Sequence, residues 1–267
     1  MTPGLFAAQT LDAAASDAPV GDAAGLADTV TSTSPVWAMA TDWSTCVALG
    51  DTHLELRTYK LLRVEVEKFG DFRRETREVC AVLNTALLGQ TTVFPPALIA
   101  SMAKMVVTSA HGTDGSYVSG LEAQIFGMHM AKPLSEGMPT DGADPRVYDS
   151  DGDGHPGATL QVGTLCQLYQ ANRAISMLHG KVVSPVRIEG GAVHQVSQAN
   201  LGGTSAFCTK QYATTELQAE NRFALVRAAD AQLDSDADGN VTCAEIIAGQ
   251  AHILTRREAD NDRCEKK

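Results

Sequence analysis

Asp234, Asp236 and Asp238 alternate along the chain, Gly239 follows, and Glu245 stands twelfth counting from Asp234. A loop that curls around one point aims three alternating carboxylates inward, and a glycine at its sixth position permits the sharp turn. Glu245 then closes the shell with both oxygens, Asn240 offers its backbone carbonyl, and Thr242 ligates directly or through water. Such a cage of hard oxygens suits Ca2+, and without a cation the confined carboxylates repel one another. A second run, Asp149, Asp151 and Asp153 with Gly152, Gly154 and Gly157 between and after them, has the same alternation. There Leu160 stands where a closing Glu would be, so Asp141, Asp144 or the backbone carbonyl of His155 is needed to complete the shell. An imidazole is a poor ligand for so hard a cation, so the reading assigns His155 its carbonyl.

The Asp234–Glu245 segment fits the EF-hand loop template position by position. The residues after it, 244–254, read as a helix with Ile246, Ile247 and Leu254 facing inward. The residues before it are ambiguous. Leu225–Leu233 has good helix propensity, while Arg222–Val226 alternates like a strand. No catalytic residue is assigned: the chain has no G-x-S-x-G elbow, H-E-x-x-H pair, Walker loop or dinucleotide fingerprint. Met128 and Met130 share one face of a strand with His129 on the other, a pattern of core packing rather than of a soft-metal site.

The elements that must hold these loops are mainly strands. Leu62, Val64 and Val66 alternate with Arg63, Glu65 and Glu67, Gly70-Asp71 supplies a two-residue hairpin turn, and the chain returns through 72–83 with Arg73, Glu75 and Arg77 on one side. Pro95-Pro96 opens a short helix over 96–105. Further strands are expected at 105–108, 117–130, 158–169, 173–183, 186–199 and 222–226. This pattern predicts a mainly β fold, an antiparallel up-and-down barrel of lipocalin-like form or a sandwich, the barrel being favoured. Residues 1–28, rich in Ala, Asp, Gly and Thr, read as a flexible leader, 29–232 as the β domain, and 233–267 as the calcium loop and a C-terminal helix packed on it.

Of 267 residues, 44% are hydrophobic, enough for a core, and the formal net charge of −11 lacks a basic stripe, which excludes nucleic acid as a partner. A small-molecule, glycan or protein ligand is left. No apolar run reaches transmembrane length. The six cysteines lack a CxxC pair and fit disulfides in an oxidising compartment, with connectivity unreadable from their spacing. The segment from Met138 to Leu160, with its D-x-D-G-D-G-H-P-G core, resembles one typical of a group of uncharacterised bacterial envelope proteins. That resemblance, extending weakly over 37–245, implies a β-rich fold and a secreted or envelope location, and implies no activity. The first basic residue is Arg57, so no charged signal-peptide region precedes it, and a cytoplasmic location is the alternative expectation.

The expectation is therefore a calcium-binding, β-rich extracellular or envelope module that binds a ligand or mediates adhesion. An EF-hand sensor and a secreted hydrolase with structural calcium are the alternatives.

Overall fold

The computed structural model describes residues 35–265, so the expected leader over 1–28 lies outside the described residues. Its strands are β1 (Val36–Leu49), β2 (Thr52–Phe69), β3 (Phe72–Asn84), β4 (Thr92–Val93), β5 (Met105–His111), β6 (Ser116–Ser119), β7 (Glu122–Phe126), β8 (Ala158–Val162), β9 (Cys166–Ser184), β10 (Arg187–Gly203), β11 (Thr214–Glu216) and β12 (Arg222–Arg227). The helices are α1 (Pro96–Ser101), α2 (Ala206–Thr209), α3 (Cys243–Ala248) and α4 (Asp262–Glu265).

Every pairing is antiparallel, and the ladder runs β1, β2, β3, β5, β6, β9, β10, β12 and back to β1, so the sheet closes as a barrel and not a sandwich. Long strands need long partners, and β9 finds one in β10 on one side and a relay of β6, β7 and β8 on the other. On β3, β5 and β4 share the outer edge. The gap between them is plugged by α1, whose Leu98 is fully buried against Phe126, Ala158 and Leu160. The helix is shorter than expected because Met102 already takes an extended conformation and leads the chain into β5. Two expected strands are each interrupted. Residues 117–130 divide into β6 and β7 where Gly120 N–H donates to Thr108 O at 2.7 Å, and 158–169 holds a turn between β8 and β9.

One end of the barrel is filled with side chains, among them Trp37, Leu62, Val64, Val66, Val79, Leu178, Phe223 and Leu225. The side of β3 that carries Glu75 and Arg77 also faces inward, and both residues are at most 1% exposed. A bulge in the β2–β3 ladder, where Leu61 faces Ala81 and Leu62 faces Val79, leaves Cys80 unpaired in the ladder. Its side chain joins an outer cluster with Tyr59, Leu61, Ala224, Val226, Leu233, Val241, Ile246 and Ile253. Strand β1 is consequently covered on both faces, inside by the barrel filling and outside by the C-terminal segment.

That segment is strapped to the barrel. Disulfides join Cys80 to Cys243 and Cys46 to Cys264, and a third joins Cys166 to Cys208 in the β9–β10 region. Under the strap, Asp42 and Glu55 are buried on the outer face of β1 and β2. Asp42 is paired by Arg57 at 2.7 Å, Arg222 at 2.8 Å and Arg257 at 3.4 Å, and Glu55 by Arg57 at 2.8 Å and Arg263 at 3.3 Å. Burial acts to raise the Glu55 carboxyl, but Ser44, Asp260 and the arginines outweigh it and hold it low. No helix of the described residues is long and apolar enough to cross a membrane.

Candidate functional site

The C-terminal acidic loop starts from a strand and a turn, not a helix: β12 ends at Arg227 and residues 228–232 form a turn. A helix does follow. It is α3, ended by Gly249 and continued only by a short 3-10 turn over Gln250–His252, so the helix expected over 244–254 is broken. The loop is pinned to the barrel by Leu233, Val241 and Ile246 in the outer cluster, by the Cys80–Cys243 disulfide, and by Arg63 Nε donating to Val241 O at 2.8 Å.

Asp234, Asp236 and Glu245 bring carboxylate oxygens within 4.8 Å of one another. Asp238 stands outside that group, its Oδ1 accepting from Asn240 N–H at 2.7 Å, and Asn240 is exposed. Gly239, at the sixth position, takes φ +81°, a left-handed conformation that costs a side-chain-bearing residue energy. Thr242 caps α3, and with Glu245 forms a reciprocal capping box. Glu245 Oε1 accepts from Ser235 and Oε2 from Thr242, and these N–H and O–H donors hold its carboxyl down to about 2. Asp234 Oδ2 accepts from Gly239 N–H at 3.0 Å, while its Oδ1 is buried with no hydrogen-bond partner among the described residues.

The other acidic loop sits in the excursion between β7 and β8. Gly127 and Gly157 pinch the ends of that excursion onto β9. Their φ values are +75° and +85°, and a Cβ on either would fall 2.5 or 2.6 Å from Gln170 O, so only glycine fits both places. Beyond the neck, Asp149, Asp151 and Asp153 come together within 4.8 Å. Asp149 caps the turn, accepting from Gly152, Asp153 and Gly154 N–H groups. Asp151 Oδ2 accepts from Thr159 N–H at 3.0 Å, and its Oδ1 is buried without a partner among the described residues. Burial and the neighbouring charges of Asp153 and Asp149 push the Asp151 carboxyl up. Asp144 is not available to complete this shell, because Arg146 holds it with contacts of 2.7 and 2.9 Å. The His155 ring stacks on Tyr169 at 4.1 Å, leaving its backbone carbonyl as the contribution it can make.

Both loops thus present an all-oxygen donor set with one buried, unpartnered carboxylate oxygen. An orphaned buried anionic oxygen is costly, and a hard cation is the group that would satisfy it together with its neighbours. The residues fit Ca2+ in donor chemistry.

The barrel interior is the other feature, and motif reading does not reach it. Toward the end of the barrel bearing the Gly50–Asp51 turn, the filling stops and leaves a cavity of about 240 Å³. Its wall is mixed: Val47, Leu56, Phe94, Phe126, Leu160 and Leu168 alternate with Thr58, Lys60, Asn84, Gln124, Gln170, Asn172, His194 and Glu216. Trp43 and His194 stack face to face there, 4.3 Å apart and 4° from parallel. Burial, reinforced by Lys60, drives the His194 imidazole down to about 3, and burial lifts the Glu216 carboxyl to about 7.

Behind the cavity, Arg77 donates to Glu122 at 2.6 Å and to Glu75 at 2.6 and 3.0 Å, while Ser109 and Tyr117 donate to Glu75 and Ser176 to Glu122. These two carboxylates are the paired acids a hydrolase would need, but both are locked on one guanidinium and neither lines the cavity. The sequence held one signal for this interior. Leu56, Thr58, Lys60, Leu62, Val64 and Val66 share one side of β2, so Lys60 is a cation on an otherwise uncharged strand face.

No protein-family model, curated protein or solved structure matches the chain.

Proposed function

We propose that this protein is a small-ligand-binding barrel of an oxidising, extracytoplasmic compartment, with its two acidic loops holding Ca2+. The carrying observation is the closed barrel whose interior is packed at one end and left open as a chemically mixed cavity at the other. A core built for stability alone fills such space, because voids forfeit packing energy. Ligand sites have this composition, apolar walls with a few placed polar groups.

The compartment is supported by the cysteines: all six are paired, a state that secreted and envelope proteins sustain and reducing cytosol does not. The resemblance of Met138–Leu160 to segments of bacterial envelope proteins points the same way. Calcium is supported by the two convergent carboxylate groups and the orphaned oxygens of Asp151 and Asp234. Its role in this reading is structural. One loop fastens the excursion to β8 and β9, the other fastens the C-terminal strap, and neither lies in the cavity wall. The absence of a helix before the Asp234 loop weighs against a sensor, which needs two helices to open against each other.

Two measurements test the reading. Calorimetric titration of EDTA-stripped protein with Ca2+ gives the stoichiometry, with two sites expected, and zero sites removes calcium from the proposal. Protein-observed NMR with a library of small ring compounds is expected to shift signals of inward-facing residues of β1, β9 and β10. Shifts confined to the outer surface, or none, would remove the ligand-binding role.

A further inference from the structure

Inside the barrel, the buried Lys60 has no carboxylate in contact among the described residues. Lys60 is 5% exposed and its ammonium donates to a single neutral acceptor, Gln124 Oε1, at 2.9 Å. Arg77, the other buried cation of the interior, contacts both Glu75 and Glu122, and Glu122 acts on Lys60 only from beyond contact distance. No carboxylate oxygen of the described residues comes within 4.0 Å of Lys60 Nζ. A buried ammonium with no anion in contact is costly, and it carries three donors of which one is used.

This ammonium lines the cavity, and so does a second unsatisfied group. His194 is 4% exposed, held in place by its stack on Trp43, and its Nδ1 is buried with no partner among the described residues. Lys60 and His194 thus bring unmet polar capacity to the same cavity, where a cation and an imidazole await an oxygen-bearing group. The wall also holds Phe94, Phe126 and Leu160, along with neutral polar side chains and the carboxyl of Glu216. A dry cavity of about 150 Å³ accepts benzene. At about 240 Å³, this one has room for a single ring carrying a carboxylate.

We infer that the lumen binds a small monocyclic carboxylate, about the size of benzoate, with its carboxylate against Lys60 and its ring among the apolar wall residues. This rests on the ligand-binding reading of the barrel and adds the ligand's charge and size. His194 stays neutral in the complex and supplies a hydrogen bond, its donor or acceptor role set by the tautomer.

The test pairs benzoate with benzamide, a neutral molecule of the same shape, on the full chain and on Lys60→Met. Calorimetry or ligand-observed NMR at neutral pH is expected to show benzoate binding at least about tenfold tighter than benzamide, about 1.4 kcal/mol. In Lys60→Met that preference should vanish while benzamide binding is retained. Equal binding of the two by the wild-type chain overturns the inference and leaves a ligand-binding lumen. Binding of neither at millimolar concentration overturns the inference and the ligand-binding reading together. A second readout needs no ligand: Lys60→Met, which removes a buried ammonium with no anion in contact and keeps the chain length, should raise the thermal midpoint of the free protein. A fall in that midpoint would show that the ammonium is already paired within the protein and would overturn the inference.

Discussion

Replacing Arg77 by Met isolates the charged network behind the cavity. The guanidinium is fully buried and joins two carboxylates that are themselves 1% and 6% exposed. With charge centres about 4 Å apart and an effective dielectric constant near 20, each pair is worth about 4 kcal/mol. Two pairs give about 8 kcal/mol, from which the several kcal/mol needed to strip water from Arg77 must be subtracted, leaving a net loss of about 4 kcal/mol. That agrees with the 3–5 kcal/mol cost of removing one partner of a buried pair, and predicts a thermal midpoint lower by roughly 8–16 °C. The loss should depend on pH. In the wild type, burial raises the Glu122 carboxyl but Arg77 and Lys60 outweigh it, so its folded value lies below the ordinary 4.5 and its contribution is present above that pH. Without Arg77, burial prevails and the carboxyl rises above 4.5, so the variant loses stability as pH increases through that window. The gap between the two proteins is therefore wide at pH 8 and should shrink by about half or more at pH 5. Urea unfolding followed by fluorescence of Trp37 and Trp43, both inside the barrel, with disulfides intact, measures it. A variant within about 1 kcal/mol of wild type at pH 8, or a gap identical at the two pH values, would refute the reasoning.

Glu245→Gln keeps an acceptor for the capping box but removes the charge; it should weaken one calcium site by about tenfold or more with circular dichroism unchanged, as read by calorimetry. Asp151→Asn should slightly stabilise the calcium-free protein, by relieving repulsion from Asp149 and Asp153, and diminish its stabilisation by Ca2+, both visible in melting curves with EDTA and with Ca2+. Removing Cys80 and Cys243 together, a crosslink with a sequence separation of 163, should cost about 3–5 kcal/mol and expose the C-terminal strap to limited proteolysis while the barrel stays folded. His194, whose folded value of about 3 lies below the ordinary 6.5, contributes stability that is lost as pH falls through that interval, on the order of 5 kcal/mol in full. His194→Phe keeps an aromatic partner for Trp43 and should flatten the acid side of the stability profile; an unchanged slope would show that the imidazole is already charged in the fold.

Local features were legible where a pattern repeats within a few residues. The alternation in β2, the Gly70-Asp71 turn with Gly70 at φ +59°, and the carboxylate spacing of both loops are short-range; Asp149, Asp151 and Asp153 lie within 4.8 Å of one another, as do Asp234, Asp236 and Glu245, while Asp238 stands outside. The mainly β, barrel-forming texture was readable for the same reason. Tertiary structure decided what each face of a strand meets. On β3, Glu75 and Arg77 alternate as a solvent-facing row would, yet they point into the barrel because Glu122 and Tyr117, from strands more than forty positions away, complete their bonding. The near-continuous burial of β1 depends on a strap from the far end of the chain, and the Cys80–Cys243 disulfide sits at a bulge that no spacing rule reveals. Lys60 makes the division plain: the sequence puts a cation among Leu56, Leu62 and Val64, and only closure of the ring turns that face into the wall of a cavity and leaves the ammonium with Gln124 as its one partner. A strand's alternation fixes which residues share a side, whereas closure and covering, which depend on distant segments, fix whether that side is water, core or binding site.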